Sequence, residues 1–179
     1  LDHKTNSRLD VTVEVDDVSI GATPDDSDAL SITVTSSYSD GLLYPGKQID
    51  VGDNPSSMAV SDLNGDGHLD VVTANSGSDN VSVLMGVGDR TFHVPMTFAT
   101  GTYPNSIVLS DVNEDGHLDV VTANSYSDNV SVLLGTGGGT FFTQTTFTVG
   151  DNPRSIAISD VNKDGHLDVI AANFYSDDV

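Results

Sequence analysis

The sequence predicts an all-β chain of β-propeller-type blades, each of four antiparallel strands in a 49-residue repeat, incomplete at both ends. Three observations predict it. The chain repeats itself at a constant step, the repeated unit alternates apolar and polar residues as strands do, and the gaps are filled with Gly, Asn, Asp and Ser. The segments SDLNGDGHLDVVTANSGSDNVSVLMG, SDVNEDGHLDVVTANSYSDNVSVLLG and SDVNKDGHLDVIAANFYSDDV begin at Ser61, Ser110 and Ser159, 49 residues apart each time. A fixed step without insertion marks a structural unit that stacks on copies of itself.

The elements are taken in chain order. Residues 1–50 read as a degenerate partial blade, with strands expected at Leu9–Val15, Leu30–Thr35 and Gln48–Val51. Moving the later strand NVSVLMG (Asn80–Gly86) back by one period lands on SITVTSS (Ser31–Ser37). Residues 51–99 form the first full repeat. Met58, Val60 and Leu63 make one apolar set, Leu69–Asn75 is β-branched, and Val81, Val83 and Met85 alternate with polar neighbours. Phe92–Gly101 reads as the fourth strand, with Pro95 favouring a sheet edge because proline cannot donate to a ladder. Residues 100–148 repeat the pattern, and residues 149–179 begin it again, with strands expected at Ser155–Val161 and Leu167–Asn173. No segment has a helical period.

Each repeat carries an acidic loop of the form Asp-x-Asn-x-Asp-Gly-x-x-Asp, at 62–70, 111–119 and 160–168. The candidate metal ligands are the side chains of Asp62, Asn64, Asp66 and Asp70, of Asp111, Asn113, Asp115 and Asp119, and of Asp160, Asn162, Asp164 and Asp168. The backbone carbonyls of His68, His117 and His166 would complete each set. Calcium takes six to eight oxygen ligands at about 2.3–2.6 Å, and alternate residues of a tight loop can turn their oxygens inward. Gly at position six tolerates the positive φ of the sharp turn. Three Ca2+ ions are therefore expected. Magnesium fits less well, since it prefers to keep several waters. An EF-hand is excluded: its loop ends in Glu at position 12 between helices, whereas position 12 here is Thr73, Thr122 or Ala171 between strands. DHKTNSRLDV (Asp2–Val11) looks like a worn fourth loop, with Lys4 standing at a ligand position.

Composition narrows the partners. The chain has 27 acidic and 6 basic residues and a formal net charge of −21, which excludes electrostatic binding to nucleic acid or to anionic membranes. Three divalent cations would leave about −15, so some aspartates, such as Asp79, Asp128 and Asp177, are expected in solvated corners. There is no Cys, so disulfides and thiolate metal sites are excluded. No apolar run approaches a membrane span, and no membrane insertion is expected. The polar first residues argue that the chain is either processed or a piece of something longer.

The unit of two strands around DxNxDGxxD, followed by a further strand and a Gly-rich turn ending in Phe (Gly135–Phe141), resembles the FG-GAP/VCBS repeat of integrin α subunits and many secreted microbial proteins. The resemblance is strong over residues 51–179 and weak over 1–50. It implies propeller blades with calcium held between the first two strands, an extracellular or cell-surface setting, and roles in adhesion or recognition. In that family the calcium loops are structural. The departures are the worn first loop and the small number of repeats.

Propellers close with about four to eight blades, and this chain holds two full repeats and two partial ones. The N-terminal part supplies a blade's later strands and the C-terminal part its earlier ones. Head-to-tail association into a filament or ring, each copy completing the half-blade of the next, is therefore expected. The alternative is a fragment of a closed seven-bladed propeller that binds an extracellular protein or glycan. No enzyme is expected, since no Ser sits in a nucleophile elbow and the loops explain the paired carboxylates. His68, His117 and His166 recur at one loop position, where the imidazole is expected to face solvent or a neighbouring blade rather than a metal. Asn80-Val81-Ser82 and Asn129-Val130-Ser131 are glycosylation sequons. Tyr103, Tyr126, Phe174 and Tyr175 fall in corners between strands, where packing between blades is expected.

Overall fold

Apolar residues on both faces of the inner strands dictate that the sheets must be covered on both sides, and the fold is the result. The computed structural model describes residues 49–89, 91–176 and 178–179. The strands expected at 9–15 and 30–35, the worn loop at 2–10 and Asp177 lie outside the described residues. Residues 49–51, expected as part of a strand, are irregular.

Residues 50–179 form one unit. Blade 1 contains β1 (Pro55–Ser61), β2 (Asp70–Asn75), β3 (Asn80–Leu84) and β4 (Met96–Ala99), hydrogen-bonded in that order. Blade 2 repeats the meander with β5 (Pro104–Ser110), β6 (Asp119–Asn124), β7 (Asn129–Leu133) and β8 (Thr145–Thr148). Blade 3 consists of β9 (Pro153–Ser159) and β10 (Asp168–Asn173). All pairs are antiparallel, and the register is the same in each blade: Ser61 faces Asp70, Ser110 faces Asp119, and Ser159 faces Asp168. The fourth strand is shorter than expected. It starts at Met96, after Pro95, which removes a donor at its beginning, and Phe92 makes only an isolated bridge to Gly86.

The blades pack face to face. Val72, Ala74, Val81, Val83 and Met85 of blade 1 meet Ile107, Val120, Leu133 and Phe141 of blade 2. Phe98 meets the edge of Phe141 at a centroid distance of 5.3 Å. On its other side blade 2 presents Val121, Ala123 and Val130 to Ile156 and Ala171 of blade 3. Val120 and Val121, adjacent in sequence, thus serve opposite interfaces, as the two-residue period of a strand requires. Every residue of β6 is buried. Burying a valine fully is worth about 1.5–3 kcal/mol, so the interfaces carry much of the stability.

A polar network runs beneath the same sheets. Thr122 donates to Asn124 Oδ1 at 3.0 Å, and Asn124 Nδ2 donates to Asn129 Oδ1 and Ser131 Oγ, each at 2.8 Å. Blade 1 repeats this with Thr73, Asn75, Asn80 and Ser82. Both sequons are members of the network, which gives their recurrence a structural cause. Blade 3 carries Ala171 where the others have Thr, and Asn173 Oδ1 is buried without a partner. Ala171→Thr is expected to supply that donor and to stabilise the chain by about 1 kcal/mol in urea unfolding. Thr122→Ala is expected to destabilise it by about 1–3 kcal/mol, by orphaning the buried Asn124 oxygen.

Candidate metal centres

The acidic loops join the first strand of each blade to the second, and backbone geometry shapes them before any side chain acts. Position four has positive φ in every copy, at Gly65 (73°), Glu114 (60°) and Lys163 (63°). Position six does too, at Gly67, Gly116 and Gly165, where an added Cβ would meet nothing. Glycine is required there for its backbone freedom and not for space.

The side chains repeat as closely as the backbone. Asp62 Oδ1 accepts from the Gly65 and Asp66 amides at 2.8 and 3.2 Å, and its Oδ2 accepts from Gly67 at 2.8 Å. Asn64 Oδ1 accepts from the Asp66 amide while its Nδ2 donates to Asp66 Oδ2. Asp66 Oδ1 accepts from the His68 amide at 2.8 Å. Asp111, Asn113 and Asp115 reproduce these bonds with the amides of Asp115, Gly116 and His117. Asp160, Asn162 and Asp164 do so with those of Asp164, Gly165 and His166. The Asn113 amide and the His117 N–H hold the Asp115 carboxyl below its ordinary range; Asn64 and His68 do the same for Asp66, and His166 and Asn162 for Asp164.

Position nine plays a different part. Asp70 is fully buried; its Oδ2 accepts from Leu63 N at 2.8 Å and its Oδ1 from Gly86 N at 2.7 Å. Asp119 does the same with Val112 and Gly135. One carboxylate thereby ties the start of the loop to the exit of the third strand. In blade 3, Asp168 Oδ2 bonds Val161 N at 2.9 Å. Burial pushes the Asp119 carboxyl up, against the two amides that lower it, and the charges of Asp115 and Asp111 push the same way.

Among the described residues no three His, Asp or Glu side chains are gathered around one point. The loop amides occupy the carboxylates instead. The donor set still fits calcium. Its side-chain donors are hard oxygens, and a carboxylate offers about four lone-pair sites of which these bonds use only some. The partial positive charge of the amides offsets carboxylate repulsion in the metal-free loop.

Other expected features fall elsewhere. The His68 and His117 rings lie over Gly88 and Gly137 of their own blades, where an added Cβ would collide with them. Both residues are exposed, as expected. His166 instead meets Glu114 of the preceding loop, Nδ1 to Oε1 at 3.0 Å. Tyr126, Phe174 and Tyr175 are exposed by 67%, 54% and 68%, so the packing expected of them is not formed. Tyr103 stacks on Tyr126 at 4.3 Å, and the Arg154 guanidinium lies over Phe174. Both corners follow or precede strands at the end away from the acidic loops. Asp79, exposed as expected, and Asp128, half-buried, also reach the next blade: Asp79 Oδ1 accepts from Tyr103 N and Asp128 Oδ1 from Asn152 N, both at 2.8 Å. Sequence reasoning missed these clamps, although the recurrence of Asp79 and Asp128 one period apart is a signal for them.

A profile of the FG-GAP-like repeat matches residues 62–122 and again residues 111–171, each match spanning two successive acidic loops. Comparison with curated proteins finds no match.

Two measurements separate the roles of these carboxylates. Without calcium, Asp119→Ala leaves the buried Gly135 N–H unpaired, costing about 1–3 kcal/mol in urea unfolding, and frees the part-buried Val112 N–H at lower cost. Asp115→Ala, at an exposed position, is expected to cost little in EDTA and to reduce the gain on adding calcium. In metal-free protein, the hydrogen bond to Glu114 raises the His166 pKa above 6.5. Its contribution to stability is therefore present below the ordinary imidazole value and is lost as pH rises through the raised one. Glu114→Gln is expected to reduce the elevation in an NMR titration, leaving the part due to the charges of Asp164 and Asp160.

Proposed function

The chain belongs to the FG-GAP-like repeat family, and on that premise we propose that it is an extracellular structural protein, its blades clamped by calcium and its copies joined head to tail through terminal half-blades. The observation that carries the reading is the threefold recurrence of one loop, with the same backbone, the same carboxylates and the same hydrogen bonds at a constant step.

When bound, calcium supplies positive charge where each loop concentrates three carboxylates within nine residues. The chain does the rest. Asp70 and Asp119 hold the loop against the exit of the third strand, so order in the loop is passed to the sheet. Asp79 and Asp128 link each blade to the next. The reading contains no catalytic step, because the paired carboxylates have structural work in every copy. An extracellular setting agrees with the family, whose repeats are typical of extracellular proteins, and with the oxygen-only donor set. No helix among the described residues is long and apolar enough to cross a membrane.

A second reading, an adhesive module for a glycan or protein, is favoured by one observation: Tyr126, Phe174 and Tyr175 are exposed at the corners away from the acidic loops. Exposed aromatic faces suit sugar stacking and protein anchoring. A glycan array on the folded chain separates this reading from the first.

Urea unfolding in calcium and in EDTA tests the principal reading. Calcium loops of extracellular modules bind at about 10⁻⁴–10⁻³ M, so a hundredfold excess needs about 10–100 mM calcium. At a hundredfold excess over Kd, each occupied site is expected to add about 2.7 kcal/mol. Identical curves in the two buffers would defeat the calcium assignment.

A further inference from the structure

Position four is where the chemistry of the acidic loops changes from copy to copy. It holds Gly65 in blade 1, Glu114 in blade 2 and Lys163 in blade 3, all with positive φ. The residue before it is Asn64, Asn113 or Asn162. Asn64-Gly65 is therefore an Asn-Gly step, and the sequence has no other. An asparagine side-chain carbonyl lies within reach of the next residue's backbone nitrogen, and attack there closes a succinimide ring. A side chain on the next residue crowds that nitrogen, and glycine has none.

The hydrogen bonds around Asn64 suit this attack. Gly65 N–H donates to Asp62 Oδ1 at 2.8 Å, which sets a carboxylate on the proton that the nucleophile must lose. Asp111 and Asp160 instead bond the amides at positions five and six of their loops and not that of position four. Asp66 N–H donates to Asn64 Oδ1 at 3.1 Å, the oxygen on which negative charge develops when the carbonyl is attacked. Asn64 is half-buried and Gly65 and Asp66 are exposed, so water has access. The combination is absent at Asn75 and Asn124. Both precede serine, both are fully buried, and both ends of each amide are held by hydrogen bonds.

We infer that Asn64 is a self-modification site, at which the chain converts its own asparagine to aspartate and isoaspartate. Gly65 N bonds to Asn64 Cγ as the Cγ–Nδ2 bond breaks. The Gly65 proton passes by way of Asp62 Oδ1 to Nδ2, which leaves as ammonia. Water then opens the succinimide. Opening at the side-chain carbonyl gives aspartate, and opening at the main-chain carbonyl gives isoaspartate. Nothing is oxidised or reduced. The first product adds a carboxylate to the loop, and the second lengthens the backbone inside the turn by one carbon. Blade 1 thus carries a loop that changes with age while its two copies do not. The step belongs to the metal-free loop and does not depend on the calcium reading.

Incubation of the full chain in EDTA, with samples digested over days and read by mass spectrometry with fragmentation, tests this. Conversion is expected at Asn64, seen as the mass difference between an amide and an acid, with aspartate and isoaspartate both formed. Asn113 and Asn162 are expected to remain amides over the same period. The Asp66-Gly67 step closes a similar ring by losing water, and so returns without that mass change. Gly65→Glu should abolish conversion at Asn64, and Glu114→Gly should create it at Asn113, a gain that misfolding does not mimic. Asp62→Asn, which keeps a hydrogen-bond acceptor and removes the basic group, should slow conversion at least severalfold. An Asn64 that outlasts the incubation, equal rates at Asn64, Asn113 and Asn162, or an Asp62→Asn variant that converts as fast as the parent chain would overturn the inference.

Discussion

A four-stranded sheet with apolar side chains on both faces cannot bury itself, and this constraint governs the whole chain. One face of blade 2 is satisfied by blade 1 and the other by blade 3, and its second strand is buried throughout. The constancy of the repeat is a consequence, because an insertion in any strand would turn its apolar residues to the wrong neighbour. The corner carboxylates of Asp79 and Asp128 do for the rim what the valines do for the interior, holding one blade to the next through the amide just before its first strand.

The acidic loops are placed within this stack rather than added to it. The buried aspartate at position nine belongs at once to the loop, to the second strand and to the turn that leaves the third. At Asp119 the carboxylate carries its charge into a desolvated place, a cost offset by the amides of Gly135 and Val112 and raised by the charges of Asp115 and Asp111. The exposed carboxylates use their own loop's amides. The same nine residues therefore hold an inner carboxylate that organises the fold and an outer group that faces solvent.

Much of this was legible in the sequence. The constant step, the β-branched run of Leu69–Asn75 and the alternation of Asn80–Gly86 led to the observed strands and their order, because period-two patterning and repeat spacing are local signals. The fourth strand was overextended, since nothing local says where pairing with a third strand stops. The loop residues were all identified, but not their division of labour: burial separates Asp70 from Asp66, and burial is a property of the neighbouring sheet. The aromatic corner residues were misjudged for the same reason. Whether Tyr126 is covered or Asp128 is solvated depends on the next blade, 24 residues or more along the chain.

The strands β2 and β6 are both DVVTAN, and β3 and β7 are both NVSVL. While the chain is still collapsing, either third strand offers either second strand the same ladder and the same side chains. The correct partner is distinguished from its twin mainly by the length of the connecting turn, and so by loop-closure entropy. Such degeneracy is a route into exchanged pairings, within one chain or between two, and it sets a kinetic hazard against the thermodynamic benefit of repetition. Departures from identity such as Lys163, Glu114 and Ala171 then act as labels that help each repeat to find its own place.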